Sequence, residues 1–268
     1  MSTRPLPAAI VGMDGVAFGS DPGRWPLSTA GTAHELWLRA VAAGAQGRYA
    51  SALSDLDRLQ RRGIPGPLGS LALSTRASFL RQLGWHDRAR SLDGQAVALA
   101  DGAATPTADA LIGLAADALG VGRFAASARA LQRAADVVAD STAARLPVRL
   151  AWMSAELAMV TGDGVSAVAD AERAVQLAAT LASVRHSVKS RVVLAAALCS
   201  RGDIDAARRE ADEALPQTGS LGLVPLRWAA ASLLANIGSK EHSEAELAAL
   251  RDHSAETVTR RGGVWRPR

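Results

Sequence analysis

The chain has 268 residues, one cysteine and a formal net charge of +4, with 49% hydrophobic and 4% aromatic residues. The lone Cys199 excludes an intrachain disulfide and a cysteine-rich metal site, and fits a reducing compartment. Of the 30 basic residues only Lys189 and Lys240 are lysines, so arginine raises the pI to about 10.1 without making a strong field.

Residues 1–31 carry Pro5, Pro7, Pro22, Pro26 and five glycines with no periodic pattern, which predicts a mobile or loosely docked arm. Prolines and glycines break the apolar stretch from Leu6 to Phe18, so a signal peptide is not expected. No uninterrupted apolar run of about 18 residues follows, and the expectation is a cytoplasmic protein without a membrane span.

From Thr32 the pattern is helical. Leu36, Trp37, Ala40, Val41 and Ala43 form one face, Gly47 interrupts it, and Ala52, Leu53, Leu56 and Leu59 form the next. The segment 63–69, with two prolines and three glycines, is expected to end this pair. Further pairs are predicted near 70–83 and 86–100, 107–121 and 124–139, 145–161 and 164–180, 184–201 and 204–215, and 223–237 and 241–259. Thr105-Pro106 opens the third pair and Pro216 is expected to stop the fifth. The last predicted helix is polar, as a terminal cap requires.

The six interrupting glycines, Gly47, Gly84, Gly122, Gly162, Gly202 and Gly238, recur every 36–40 residues, the range of solenoid repeats. Seven residues before each stands an alanine: Ala40, Ala77, Ala115, Ala155, Ala195 and Ala231. Five residues after each stands another small residue, Ala52, Ala89, Ser127, Ala167, Ala207 or Ser243. Small side chains at fixed places let two helices approach closely, and the glycines supply the positive φ that ends the first helix. Units such as Leu83-Gly-Trp-His-Asp-Arg-Ala-Arg90 and Arg201-Gly-Asp-Ile-Asp-Ala-Ala-Arg208 resemble the tetratricopeptide repeat over roughly residues 33–250. Ala96, Ala134, Ala174 and Ala214 match that family's second small position, where Leu59 departs from it. The period is longer than the family's usual ~34 residues and the aromatic positions are mostly aliphatic. The resemblance implies an all-α, right-handed α-solenoid of about six helix-turn-helix repeats over 32–259, followed by a basic tail over 260–268.

Candidate chemistry is sparse. Gly120-Val-Gly122-Arg-Phe-Ala125 spells a dinucleotide-loop string, but a helix precedes it and Gly122 is the repeat's own turn glycine. Asp14-Gly15 lacks the second aspartate and the α/β domain of a phosphotransfer loop. The five histidines form no ligand pair at helical spacing, and the plain reading of His242 with Glu246 is an exposed helix contact. No nucleophile elbow or phosphate loop is present, so no catalytic, cofactor or metal residue is assigned.

Trp37, Trp152 and Trp228 each lie three residues before their repeat's alanine and so occupy one equivalent position. The resemblance implies that this position faces the concave groove; burial in the core is the other placement, and both stay open here. Arg145, Arg149, Arg185, His186, Lys189, Arg191 and Arg227 recur near first-helix starts, with no acidic residue between Arg185 and Gly202. Stacked helices would gather them into a patch for a carboxylate, phosphate or acidic peptide, or leave them on a solvated rim. The family's clamp for acidic chaperone tails is absent: its places hold Trp37, Val41, Thr75, Asp109 and Gly113. The expectation is a non-catalytic scaffold binding a protein or peptide, with Trp37, Arg149, Trp152, Lys189, Arg191 and Trp228 as partner-binding residues. The alternative is a regulatory or nucleic-acid-associated factor using arginine-rich helix starts and the basic tail.

Overall fold

The computed structural model describes residues 12–267, which form thirteen α-helices and no strand. A short α1 (Met13–Phe18) precedes six helical hairpins. These are α2 (Ala33–Ala45) with α3 (Tyr49–Arg61), α4 (Gly66–Gln82) with α5 (His86–Leu99), and α6 (Ala104–Gly120) with α7 (Phe124–Val138). They continue with α8 (Arg145–Val160) and α9 (Gly164–Ala179), α10 (Val184–Arg201) and α11 (Ile204–Ser220), and α12 (Val224–Ile237) and α13 (Glu244–Arg260). Consecutive helices pack on one another, and the first helices of successive hairpins also touch: α2 on α4, α4 on α6, and so on to α12.

The repeated small residues sit on buried helix faces except Ser243, which is the exposed N-cap of α13 and takes no part in a close approach. All six alanines seven residues before the glycines are fully buried, as are Ala52, Ala89, Ser127, Ala167 and Ala207. Each of the six turn glycines has positive φ, from 69° at Gly47 to 94° at Gly202. A side chain with a β-carbon is strained there, which is why glycine recurs. Both end hairpins use capping boxes. Thr32 accepts from the Glu35 amide and Ser243 from the Glu246 amide, each glutamate returning to the cap's own N–H.

Two boundaries differ from the sequence expectation. Helix α4 begins inside the segment expected to be a break, because Pro67 in its first turn needs no intrahelical partner for a missing N–H. Helix α11 runs through Pro216 to Ser220. Leu215 and Thr218 are buried on either side of the proline, so tertiary packing holds the last turn despite the lost backbone bond.

The segment before Thr32 also differs from a loosely docked arm over its described part; residues 1–11 lie outside the described residues. Helix α1 packs against α2 and α10, with Val16 and Ala17 buried. The Val184 amide donates to Gly19 O, and the Gln46 side-chain amide donates to Pro22 O and Arg24 O. Burying three or four apolar groups needs no periodicity, so the sequence pattern is silent about it.

The C-terminal segment brings the last hairpin to the first. The Ala50 amide donates to Arg261 O, the Arg261 guanidinium to Gln46 O, and the Arg266 amide to Leu83 O. Trp85 Nε1 donates to Val264 O at 2.7 Å. Val258 of α13 is fully buried in the same apolar cluster as Leu36, Tyr49 and Leu56. Helix α13 therefore ends against the first hairpin, although its sequence reads as a polar outer cap.

Ala155→Leu overpacks a sealed crossing and should cost about 1–3 kcal/mol, read as a lower urea midpoint at unchanged slope. Deleting residues 1–18 should cost at least about 1.5–3 kcal/mol, the burial of Val16 alone. An unchanged midpoint in that deletion would show that α1 contributes nothing to the fold.

Candidate functional site

The first helix of every hairpin contributes to the wall of one interior cavity of about 450 Å3. Its aromatic wall is Phe18, Trp37, Phe79, Trp152, Trp228 and Trp265, and its charged wall is Arg81, Asp109, Arg145, Arg149, Glu156, Arg185 and Lys189. The repeat places equivalent positions of successive first helices side by side, which is how residues far apart in sequence converge.

The tryptophans at the equivalent position are both packed and cavity-lining. Trp37 and Trp152 are buried, and each indole N–H is satisfied by a hydroxyl on the next hairpin's first helix. Trp37 Nε1 donates to Thr75 Oγ1 at 2.9 Å and Trp152 Nε1 to Ser190 Oγ at 2.8 Å. These bonds staple neighbouring hairpins, and both rings also line the cavity. Trp228 is half-buried and lies 5.0 Å from the Trp265 ring. Its indole N–H has no hydrogen-bond partner among the described residues.

Charges on this wall fall into three groups. Arg81 pairs with Asp93 and, at 3.1 Å, with Asp117, both fully buried, while Ser74 Oγ donates to Asp93 at 2.7 Å. Gly113 makes room for this network, since a β-carbon there would meet Asp93 Oδ2 at 2.4 Å. Asp109 of α6 receives Arg145 at 2.8 Å and also Arg149, so one carboxylate of the third hairpin holds two guanidiniums of the fourth. Arg185 and Lys189, one turn apart on α10, form neither a hydrogen bond nor an ion pair with any described residue. Arg185 faces the Phe18 ring at 5.7 Å and Lys189 Nζ lies 4.3 Å from the Trp152 ring centre.

The electrostatics follow from this crowding. Burial, with Arg149 and Arg145 close by, lowers the Arg185 guanidinium to about 10. Burial also lowers the Lys189 ammonium, which the Glu156 carboxylate only partly offsets. His186 is stacked on Trp152 at 5.3 Å and bonded to Ser183 Oγ at 2.7 Å. Its burial among these cations holds its pKa well below the ordinary histidine value, so it is neutral. Burial pushes Asp117 up to about 7 despite Arg81, and Asp93 beside it pushes the same way.

Of the residues singled out by sequence, Trp37, Arg149, Trp152, Lys189 and Trp228 meet at this cavity. Arg191 does not; it pairs with Glu210 at 3.1 Å and with Glu213, both on α11, away from the interior. Two described tail arginines form exposed surface pairs: Arg260 with Glu256 at 3.6 Å and Arg266 with Asp87 at 3.9 Å. Cys199 is half-buried beside the cluster around Trp152. Sequence reading missed Phe18, which lies in an aperiodic segment, and the Arg81 network. The signal for the latter was Asp93 and Asp117 standing in otherwise small-residue helix faces. Among the described residues no group of histidine, cysteine and carboxylate side chains is arranged to hold a metal, and no helix is long and apolar enough to cross a membrane.

Compared with known families and with curated proteins, the chain matches no family model and no curated sequence.

Asp117 makes stability depend on pH in a defined direction. Its carboxyl holds a proton to about 7 in the fold, against an ordinary value of 3.8. The folded state thus binds more protons, and this contribution is full below about pH 4 and lost as pH rises through 7. Asp117→Asn should flatten the fall of the urea midpoint between pH 4 and 7.5 relative to the parent. Equal slopes in the two proteins would show that Asp117 is ionised throughout.

Proposed function

We propose that this chain is a non-catalytic binding protein: a right-handed, tetratricopeptide-like α-solenoid of six repeats whose concave face carries a peptide or protein segment. The observation that supports this most is α1 itself. A polypeptide segment, Met13–Phe18, already rests on the inner helices, with Phe18 5.7 Å from the Trp37 ring. A surface that seats its own backbone and apolar side chains has the chemistry to seat another's. Trp37, Trp152 and Trp228 supply contact area at one equivalent place per repeat, while Arg149 and Lys189 supply charge.

The inward position of Arg149, Arg185 and Lys189 favours a compact partner segment over a nucleic-acid backbone, which needs cations on an accessible outer stripe. Arg191, held by two glutamates of its own hairpin, has no part in the proposed site.

Partner capture from the native host, washed at rising salt, tests the reading. Trp228→Ala and Lys189→Glu should each reduce capture at least about tenfold, a loss of roughly 1.4 kcal/mol, with little change in melting. Arg191→Glu should leave capture intact. Trp152→Ala should lower stability by about 3–5 kcal/mol because its ring is core as well as wall. Full capture by both Trp228→Ala and Lys189→Glu would remove the concave face as the binding site.

A further inference from the structure

The cavity contains more positive charge than its own carboxylates answer. Arg81 is spent on Asp93 and Asp117, and Arg145 and Arg149 are spent on Asp109. Arg185 and Lys189 remain, half-buried and without an ion pair among the described residues; Glu156 on the same wall acts on Lys189 without pairing with it, and leaves Arg185 unanswered. Leaving cations unanswered in a partly desolvated space is unfavourable. For Arg185 it is worse: it is the second residue of α10, where the positive end of the helix dipole opposes it. The ring faces of Phe18 and Trp152 compensate these charges only in part, whereas an incoming anion answers them in full.

We propose that Arg185 and Lys189 receive the carboxylate of a ligand whose apolar body lies against Trp152, Trp228 and Phe18. This rests on the reading of the concave face as a peptide-binding surface, and it names the part of the peptide that is recognised. The two cations are four residues apart on one helix face, so both reach a single oxyanion. The cavity already holds one carboxylate in this manner, Asp109 between Arg145 and Arg149. Beside the cations stand the Trp152 ring, against which Lys189 lies at 4.3 Å, and Trp228 with its unpartnered indole N–H. A space of about 450 Å3 accommodates one or two side chains with a terminal carboxylate, not an extended chain. The same chemistry is offered by a peptide C-terminus or by a free aryl or acyl acid.

The experiment uses the full chain and two matched probe pairs, followed by calorimetry and tryptophan fluorescence. One pair is acetyl-Leu-Phe with a free carboxylate and its C-terminal amide; the other is 4-phenylbutyrate and its amide. At least one carboxylate should bind ten or more times tighter than its amide. That preference should fall below about twofold in Arg185→Gln and in Lys189→Gln, and the melting temperature of both variants should hold or rise. Binding by the peptide acid identifies a peptide terminus as the source. Binding by phenylbutyrate alone upholds the carboxylate site and counts against the peptide reading. Equal binding of acid and amide, or a preference that survives both substitutions, overturns the carboxylate site while leaving the peptide reading in place. No binding of any probe, or a lowered melting temperature in both variants, overturns it as well.

Discussion

The fold depends on a fully buried alanine at one fixed place in each hairpin. The six alanines that precede the turn glycines are fully buried, and four of the helices packed against them present a further buried alanine. Close crossings of this kind bring backbones within van der Waals reach but bury little area per side chain. An alanine-built hairpin is therefore weak alone and gains stability from its neighbours on both sides. The chain adds a long-range element to this nearest-neighbour scheme. Backbone bonds from Ala50 to Arg261 O and from Arg266 to Leu83 O join the last hairpin to the first two. Terminal hairpins that would otherwise fray are thereby coupled, and the buried Val258 makes that joint apolar as well as polar.

The same geometry sorts the charges. Pairs between the first and second helices of a hairpin, such as Arg191 with Glu210, are half-exposed and screened, and contribute little. Inward groups are fewer and more constrained. Each interior carboxylate on α5 and α6 is matched by an arginine from α4 or α8, which stitches three successive hairpins together across their inner faces. This matching stops at α10. The next inward position after Asp109 and its two arginines is Arg185, and no carboxylate of α12 meets it. The imbalance is local to one stretch of the wall, beside the aromatic groups, and not a general excess of base.

Much of the fold was legible because the repeat is a packing rule written in small residues. Glycine at a positive-φ turn and alanine at a tight crossing are demands of backbone geometry that few other residues meet, so their spacing marks the hairpins directly. The convergence of Trp37, Arg149, Trp152, Lys189 and Trp228 was legible for the same reason: equivalent positions in a repeat become neighbours. Three things were not. Pro216 looked like a stop because its lost hydrogen bond is local, whereas the burial of Leu215 and Thr218 that outweighs it is tertiary. Arg191 looked like part of the basic patch because spacing along α10 does not say which face meets α11. The seat of α1 left no pattern at all, since six residues cannot show a helical period.

A six-residue helix does not persist alone in water, because nucleation costs more than so few backbone bonds return. Helix α1 therefore exists because the inner wall holds it, through Val16, Ala17 and the Phe18 ring, and through Gly19 O on the first amide of α10. The wall in turn is shaped by α1. Phe18 stands 5.1 Å from the Arg145 guanidinium and 5.7 Å from that of Arg185, covering both with the face of an aromatic ring. A ring face offers a cation partial compensation where no carboxylate is present, and it does so without neutralising the charge. The segment that reads in sequence as an aperiodic arm thus keeps the unanswered arginine tolerable inside the fold, and leaves its charge available at the cavity.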